Sequence, residues 1–113
     1  MKNIVLIVML MIGLTSLAQE KKNKNAKYNV EVNGNCEMCK KRIEKAAFSV
    51  SGVKSATWHI DDHMLHLIVN EEKCDVINVE KAIAKVGHDT KNVKATNEDY
   101  DKLHGCCQYE RIK

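Results

Sequence analysis

Between positions 28 and 95, the spacing of the apolar residues switches repeatedly between two patterns. Apolar and polar residues alternate where a half-buried strand is expected, and apolar residues recur every three or four positions where a helix is expected. The patterns follow one another in the order strand, helix, strand, strand, helix, strand. The predicted elements are Tyr28–Val32, Cys39–Val50, Val53–Ile60, Met64–Val69, Val76–Val86 and Thr90–Ala95.

That order is typical of the ferredoxin-like split βαβ arrangement. The sequence therefore predicts an α+β fold, a βαββαβ sandwich in which a four-stranded antiparallel sheet carries two helices on one face. Gly52 and Gly87 follow the two predicted helices, where glycine commonly ends a helix. Residues 28–96 are assigned to this domain, residues 19–27 to a polar linker before it, and residues 97–113 to a cysteine-containing tail after it.

The first 18 residues are typical of a cleavable signal peptide. Lys2 is followed by an apolar run from Ile4 to Leu14, and Ser16-Leu17-Ala18 has small residues at the two positions that a signal peptidase reads. A membrane-spanning helix needs roughly 20 apolar residues, and this run is shorter. No cysteine follows the run until Cys36, which argues against a lipid-modified N-terminus. We therefore predict cleavage after Ala18, a periplasmic or secreted protein, and no stable membrane insertion of the mature chain.

The net charge argues against a polyanionic partner. The chain has 18 Lys and Arg against 15 Asp and Glu, and loss of residues 1–18 removes one of these cations, Lys2. The small positive balance that remains does not favour a nucleic acid or a membrane surface as partner.

Five cysteines remain in the mature chain, and their spacing is unlike that of a disulfide framework. An odd number leaves at least one thiol unpaired within the molecule. Two pairs, Cys36 with Cys39 and Cys106 with Cys107, are nearly adjacent in sequence, which favours metal binding or redox chemistry. Cys74 stands alone before the second predicted helix and is interpreted as a small, partly buried apolar residue.

Cys36 and Cys39 lie where the first predicted strand leads into the first predicted helix. The unpaired N–H groups and the dipole at a helix start favour negative charge, and Lys40, Lys41 and Arg42 add cations. Both effects lower the pKa of a thiol and favour the thiolate, the form that binds a soft cation such as copper(I). We predict that the primary metal site is at this pair.

Four other roles for the pair compete with metal carriage. A thioredoxin-like redox site sets a cis-proline against its cysteines, and this chain has no proline. Haem attachment of the c type requires histidine directly after the second cysteine, where Lys40 stands. A structural zinc site requires two further ligands, which the tail could supply, and an oxidising compartment permits a plain disulfide. Metal carriage is favoured, and the zinc and disulfide alternatives stay open.

Three segments carry a resemblance to a known family: Gly34-Asn35-Cys36-Glu37-Met38-Cys39, the helix start Arg42–Ala46, and the helix exit Ser51-Gly52-Val53. Together they resemble the heavy-metal-associated domain, the family of small copper chaperones, the metal-binding domains of copper-pumping ATPases and the periplasmic mercury-binding protein. The family usually has a methionine that anchors the metal loop and one more residue before the first cysteine. Because Asn35 cannot anchor the loop in that way, we expect a loop that is more mobile or differently braced.

The resemblance also makes His88 a candidate ligand. Relatives often have glycine and then tyrosine, phenylalanine or lysine after the second helix, where this chain has Gly87-His88, and the family fold places this position near the metal loop. His88 is therefore a candidate third ligand or supporting group. The alternative is a solvent-exposed histidine that ends a helix.

Cys106 and Cys107 in the tail are candidates for a second, weaker metal site. The predicted last strand would end at the pole opposite the metal loop, about 20 Å from Cys36. A separate thiol site is therefore favoured. Extra ligands for the first site, or an idle or oxidised pair, are the alternatives.

The resemblance implies a protein that is not an enzyme. We expect it to carry a soft heavy-metal ion, most readily copper(I), with mercury(II) or zinc as competing ions. It would pass the ion by thiolate exchange to or from a partner such as a metal-transporting ATPase or another membrane transporter. The alternative function is a thiol–disulfide oxidoreductase that uses the same cysteine pair.

Overall fold

The computed structural model describes residues 22–111, so the predicted signal peptide lies outside the described residues. Two longer helices and three strands form the domain, and two short helical segments follow them. The elements are β1 (Ala26–Glu31), α1 (Glu37–Phe48), β2 (Val53–Trp58), β3 (Met64–Val69), α2 (Val76–Lys85), α3 (Asn97–Asp101) and a 3-10 turn (Gly105–Cys107). Within residues 22–111, no helix has both the length and the apolar character needed to cross a bilayer.

The three strands form one antiparallel sheet in the order β1, β3, β2. Leu65 of β3 lies opposite Val30 of β1 and Trp58 of β2, so apolar residues of all three strands share one face. Leu65 and Leu67 are buried, whereas His66 between them is exposed. The alternation predicted for the third strand is confirmed.

Both longer helices contribute their apolar stripes to one core with that face of the sheet. Ile43 and Ala47 of α1 and Val79 and Ile83 of α2 recur at helical spacing, and all four are fully buried. Burying one aliphatic side chain of the larger kind contributes about 1.5–3 kcal/mol. The predicted order of the first five elements is confirmed, because the local spacing of apolar residues matches the face that each element buries.

The fourth strand predicted at Thr90–Ala95 is wrong. Among the described residues, only Thr90 of this segment pairs with the sheet, in one antiparallel bridge to Val32. The hydroxyl of Thr90 accepts a hydrogen bond from Val93 N–H at 3.1 Å, and the Asp89 carboxylate accepts one from Ala95 N–H at 2.7 Å. These side chains satisfy backbone N–H groups locally, so the chain turns away from the sheet and the described sheet has three strands.

Residues 97–111, the C-terminal segment, fold back against the domain. The hydroxyl of Tyr109 donates to the Gly87 carbonyl at 2.8 Å and accepts from the Asp89 N–H at 2.7 Å. Arg111 pairs with the Asp89 carboxylate at 2.9 Å. The apolar anchors Leu103, Cys107 and Tyr109 are all buried. The segment is therefore part of the packed domain.

Candidate metal centre

The loop between β1 and α1 brings the cysteines of the predicted primary pair together. Cys36 is the extended residue directly before α1, with φ −147°, and Cys39 lies in the first turn of that helix. Their sulfur atoms are 3.4 Å apart. Cys39 is fully buried and Cys36 is partly exposed. One sulfur of the pair is thus shielded from solvent, and the other is accessible.

The two thiols differ strongly in acidity. The backbone N–H of Cys39 and the neighbouring thiols lower the pKa of Cys36 to about 7, against the opposing effect of burial. Burial raises the pKa of Cys39 to about 12, although the N–H of Asn35 donates to its sulfur at 3.4 Å. The prediction that the helix start lowers both pKa values is wrong for Cys39. In the metal-free protein at neutral pH, Cys39 therefore keeps its proton.

Trp58 packs against the loop between β1 and α1, residues 32–36, which is the predicted metal loop. Its ring is fully buried, and its indole N–H donates to the Val32 carbonyl at 3.0 Å. A Cβ atom at Gly34 would lie 3.1 Å both from the Trp58 ring and from Cβ of Cys39, so this close approach favours glycine. The indole therefore supports the loop that carries Asn35 and Cys36.

The C-terminal segment places the second cysteine pair beside the first. Sγ of Cys36 lies 3.4 Å from that of Cys107 and 3.8 Å from that of Cys106, and the last two are 3.9 Å apart. The thioether of Met38 lies 3.8 Å from Sγ of Cys106. The expected separation of the two cysteine pairs is therefore wrong. Cys36, Cys39, Cys106 and Cys107 form one group, the thiol cluster.

The path of the chain after α2 explains this difference. Because no fourth strand forms, the chain does not continue along the sheet to its far end. Tyr109 instead stacks on His88, with ring centroids 5.6 Å apart, and this contact holds the C-terminal segment next to the metal loop. The sequence carried a weak signal for this packing, since Tyr100, Leu103 and Tyr109 are large apolar or aromatic residues in an otherwise polar tail.

His88 is fully buried, so the alternative of a solvent-exposed histidine is wrong. Its Nδ1 lies 2.8 Å from the carbonyl oxygen of Asn33 in the metal loop, and a carbonyl only accepts. Nδ1 therefore carries the proton. Nε2 is buried and has no hydrogen-bond partner among residues 22–111. Burial holds the pKa of His88 below its ordinary value, which keeps the ring neutral at pH 7.

Arg42 brings positive charge from α1 to the thiol cluster. Burial raises the pKa of Cys107, and the neighbouring Cys39 and Arg42 act in the opposite direction. Nη1 of Arg42 is buried without a hydrogen-bond partner in the described part of the chain. An unsatisfied buried donor costs about 1–3 kcal/mol, more when it is charged. Negative charge in the thiol cluster would offset that cost.

Comparison with known proteins relates this domain to a metal carrier. No protein-family model matches the sequence. The copper chaperone CopZ of Staphylococcus epidermidis is 32% identical to this chain over 63 residues, which make up 55% of this chain and 93% of the chaperone. This chain belongs to the heavy-metal-associated domain family. The resemblance inferred from the residues around Cys36 and Cys39 is confirmed.

Solved structures also match the heavy-metal-associated domain. A structure described as a CopZ metallochaperone is 26% identical with a TM-score of 0.56, and the match covers 57% of this chain and 98% of the other. The N-terminal domain of a potential copper-translocating P-type ATPase from Bacillus subtilis, in the Cu(I)-loaded state, is 25% identical with a TM-score of 0.57. That match covers 59% of this chain and 85% of the other. Each match leaves about two fifths of this chain unaligned.

Proposed function

We propose that this protein is a non-catalytic carrier of a soft metal ion, copper(I) before mercury(II) or zinc, and that Cys36 and Cys39 are its primary ligands. The observation that carries this proposal is the contact of their sulfurs at 3.4 Å beside the start of α1. Copper(I) suits thiolate ligands, and the four sulfurs of the thiol cluster also match the ligand number of a structural zinc site, so zinc is the main competing ion by ligand count. The similar proteins named above are described as copper chaperones or copper-related domains.

The chemistry of loading follows from the two acidities. The Cys36 thiol, with a pKa of about 7, is the group already ionised in part at neutral pH, so it captures the ion first. Cys39 then exchanges its proton for the metal, because its pKa of about 12 leaves it protonated beforehand. Each step forms one metal–sulfur bond and breaks one bond between the ion and its donor, the proton of Cys39 leaves to solvent in the second step, and no electron moves.

Release reverses these steps. A thiolate of a partner protein forms a bond to the ion. The bond from Cys39 to the ion then breaks, and the freed Cys39 takes up a proton. We propose that the protein is exported, with its mature chain starting at Gln19, and that its partner is a metal-transporting ATPase or another membrane transporter. The likeness to an ATPase metal-binding domain supports this class of partner.

Copper(I) affinity tests the proposed function. Reduced, oxygen-free protein lacking residues 1–18 competes for copper(I) with a chromogenic copper(I) chelator. The double variant Cys36→Ser/Cys39→Ser is expected to lose tight binding, whereas Cys106→Ser/Cys107→Ser keeps a two-thiolate site. Cys74→Ser is the matched control, since its sulfur lies outside the thiol cluster. Tight binding by the Cys36/Cys39 double variant would disprove the assignment.

Thiol–disulfide exchange is the competing function, because Cys36 has a lowered pKa and lies in contact with other thiols. It is distinguished by incubating the metal-free protein with a disulfide-bonded protein substrate and a reductant. We expect no acceleration of disulfide reduction beyond that of the reductant. Acceleration that depends on Cys36, in a protein with weak copper(I) binding, would favour an oxidoreductase instead.

A further inference from the structure

The thiol cluster contains twice the number of sulfurs that a two-thiolate carrier needs. We propose, building on the function above, that the C-terminal segment completes the site within the same chain. Cys107 supplies a third thiolate to a copper(I) ion held by Cys36 and Cys39, and Cys106 forms the exposed outer edge of the site.

The distances between the sulfurs suit a shared ion. Sulfurs about 2.3 Å from a common metal are about 3.8–4.0 Å apart in tetrahedral or trigonal geometry. Sγ of Cys36 lies 3.4 Å from the sulfurs of both Cys39 and Cys107, and the sulfurs of Cys36, Cys106 and Cys107 all lie within 4.8 Å of one another. Cys36 contacts each of the other three sulfurs, and it is therefore the centre of the cluster.

Cys107 is held in place because Tyr109 and Arg111, which follow it in the chain, bind Gly87 and Asp89. It is fully buried at the end of the 3-10 turn, two residues before Tyr109. The Tyr109 hydroxyl bridges the Gly87 carbonyl and the Asp89 N–H, and Arg111 makes two hydrogen bonds to the Asp89 carboxylate. The third sulfur is thus ordered before any metal arrives, which lowers the entropic cost of using it as a ligand.

The positive charge beside the thiol cluster also fits an anionic metal site. Three thiolates and one copper(I) ion carry two negative charges in total. Nη1 of Arg42 is buried and has no hydrogen-bond partner among the described residues. The start of α1 adds the positive end of its dipole beside Cys36. These groups would stabilise the anionic site.

A third ligand from the same chain changes how the ion leaves. Cys39 and Cys107 are buried, whereas Cys106 and Met38 are exposed. A partner thiolate therefore approaches from the side of Cys106. As the partner's sulfur forms a bond to copper(I), one of the three cysteine bonds breaks, and the ion never passes through a one-coordinate state. The C-terminal segment would retain the ion until a suitable acceptor contacts this edge.

X-ray absorption of the copper(I)-loaded, reduced protein tests this proposal by counting sulfur neighbours. The wild type and Cys74→Ser are expected to show three sulfurs, and Cys107→Ser two. Affinity of Cys107→Ser should fall on the order of 10–100-fold, since a tethered ligand acts at a high effective concentration. Cys106→Ser should keep three sulfurs.

A second variant, Arg111→Ala, keeps all five cysteines and releases the anchor at Asp89. It is expected to show a sulfur count between two and three, with the circular dichroism spectrum unchanged. Two sulfurs in the wild type, with equal affinity for Cys107→Ser, would overturn the inference and leave the proposed function intact. Absence of tight copper(I) binding by the wild type would instead overturn the proposed function.

Discussion

Cys36 and Cys39 are three residues apart, yet their surroundings give them opposite acidities. Cys36 has the Cys39 N–H and three neighbouring thiols to stabilise its thiolate, and solvent still reaches it. Cys39 points into the core, where the loss of hydration disfavours charge more than the nearby N–H of Asn35 favours it. The same helix start therefore holds one reactive and one inert thiol.

Alkylation of the metal-free protein checks this difference. Only the thiolate reacts, so the rate at Cys36 should rise about tenfold per pH unit below its pKa and level off above pH of about 7. Cys39 should stay unmodified across the same range. The rates are measured by mass spectrometry of peptides after timed iodoacetamide treatment, with Cys36→Ser as control. Equal rates at both cysteines would contradict the burial of Cys39.

His88 supports the metal loop through one hydrogen bond to Asn33. The variant His88→Ala leaves that carbonyl without its partner and opens a cavity beside Tyr109. We expect the free energy of unfolding, measured by urea denaturation, to fall by about 1–3 kcal/mol for the unpaired carbonyl, with the cavity adding to this. Copper(I) affinity should fall on the order of 10–100-fold, as for other supporting groups. Unchanged stability and affinity would remove His88 from the site.

The turn after α2 lets the C-terminal segment pack beside the site. Gly87 has φ +103°, and a Cβ atom there would lie 2.8 Å from the carbonyl oxygen of Asp99 and 2.9 Å from the side chain of Leu103. The left-handed glycine both ends the helix and lets α3 and its following residues pack closely. Thr96 prepares this packing by capping α3, since its hydroxyl accepts from Asp99 N–H at 3.1 Å.

Gly87→Ala is therefore expected to be destabilising. The backbone strain alone costs about 1–3 kcal/mol, and the contacts with Asp99 and Leu103 add to it. Gly105→Ala is the matched control, because a Cβ atom there meets nothing within 4 Å. Thermal unfolding of both variants makes the comparison. A similar change in Tm for the two would show that the C-terminal segment does not pack on Gly87.

At the scale of the whole chain, the C-terminal segment joins the thiol cluster to the hydrophobic core. Leu103, Cys107 and Tyr109 belong to the same buried cluster as Ile43 and the residues of the sheet. The segment therefore contributes to folding as well as to the site. The sequence alone predicts a domain of residues 28–96 followed by a separate tail.

Removal of residues 98–113 tests this joint role. The loss of the buried Leu103 and Tyr109, at about 1.5–3 kcal/mol for each large side chain, together with the smaller Cys107, should lower the free energy of unfolding by about 5 kcal/mol. Copper(I) bound to the shortened protein should have two sulfur neighbours. Both changes are measured by denaturant unfolding and X-ray absorption. Unchanged stability after truncation would mean that the segment is not packed on the domain in solution.

The sequence by itself determined the features that depend on local spacing. The period-two pattern of Leu65, His66 and Leu67 predicts which face of β3 is buried, and the helical stripes predict α1 and α2, because each pattern involves neighbouring residues of one element. Placement of Cys36 and Cys39 at a strand-to-helix junction follows in the same way. The family resemblance rests on these local features.

Only the tertiary structure determines the pKa of Cys39 and places Cys106 and Cys107 next to Cys36. Burial of Cys39 depends on the sheet and Trp58, which no local pattern around the cysteine contains. Cys107 is 71 residues from Cys36 in sequence. Their contact requires that residues after Thr90 leave the sheet and that Tyr109 and Arg111 anchor the C-terminal segment. Such long-range pairing is a sum of many weak contacts from separate elements. The spacing of residues along one segment therefore does not predict which distant segments will pack against it.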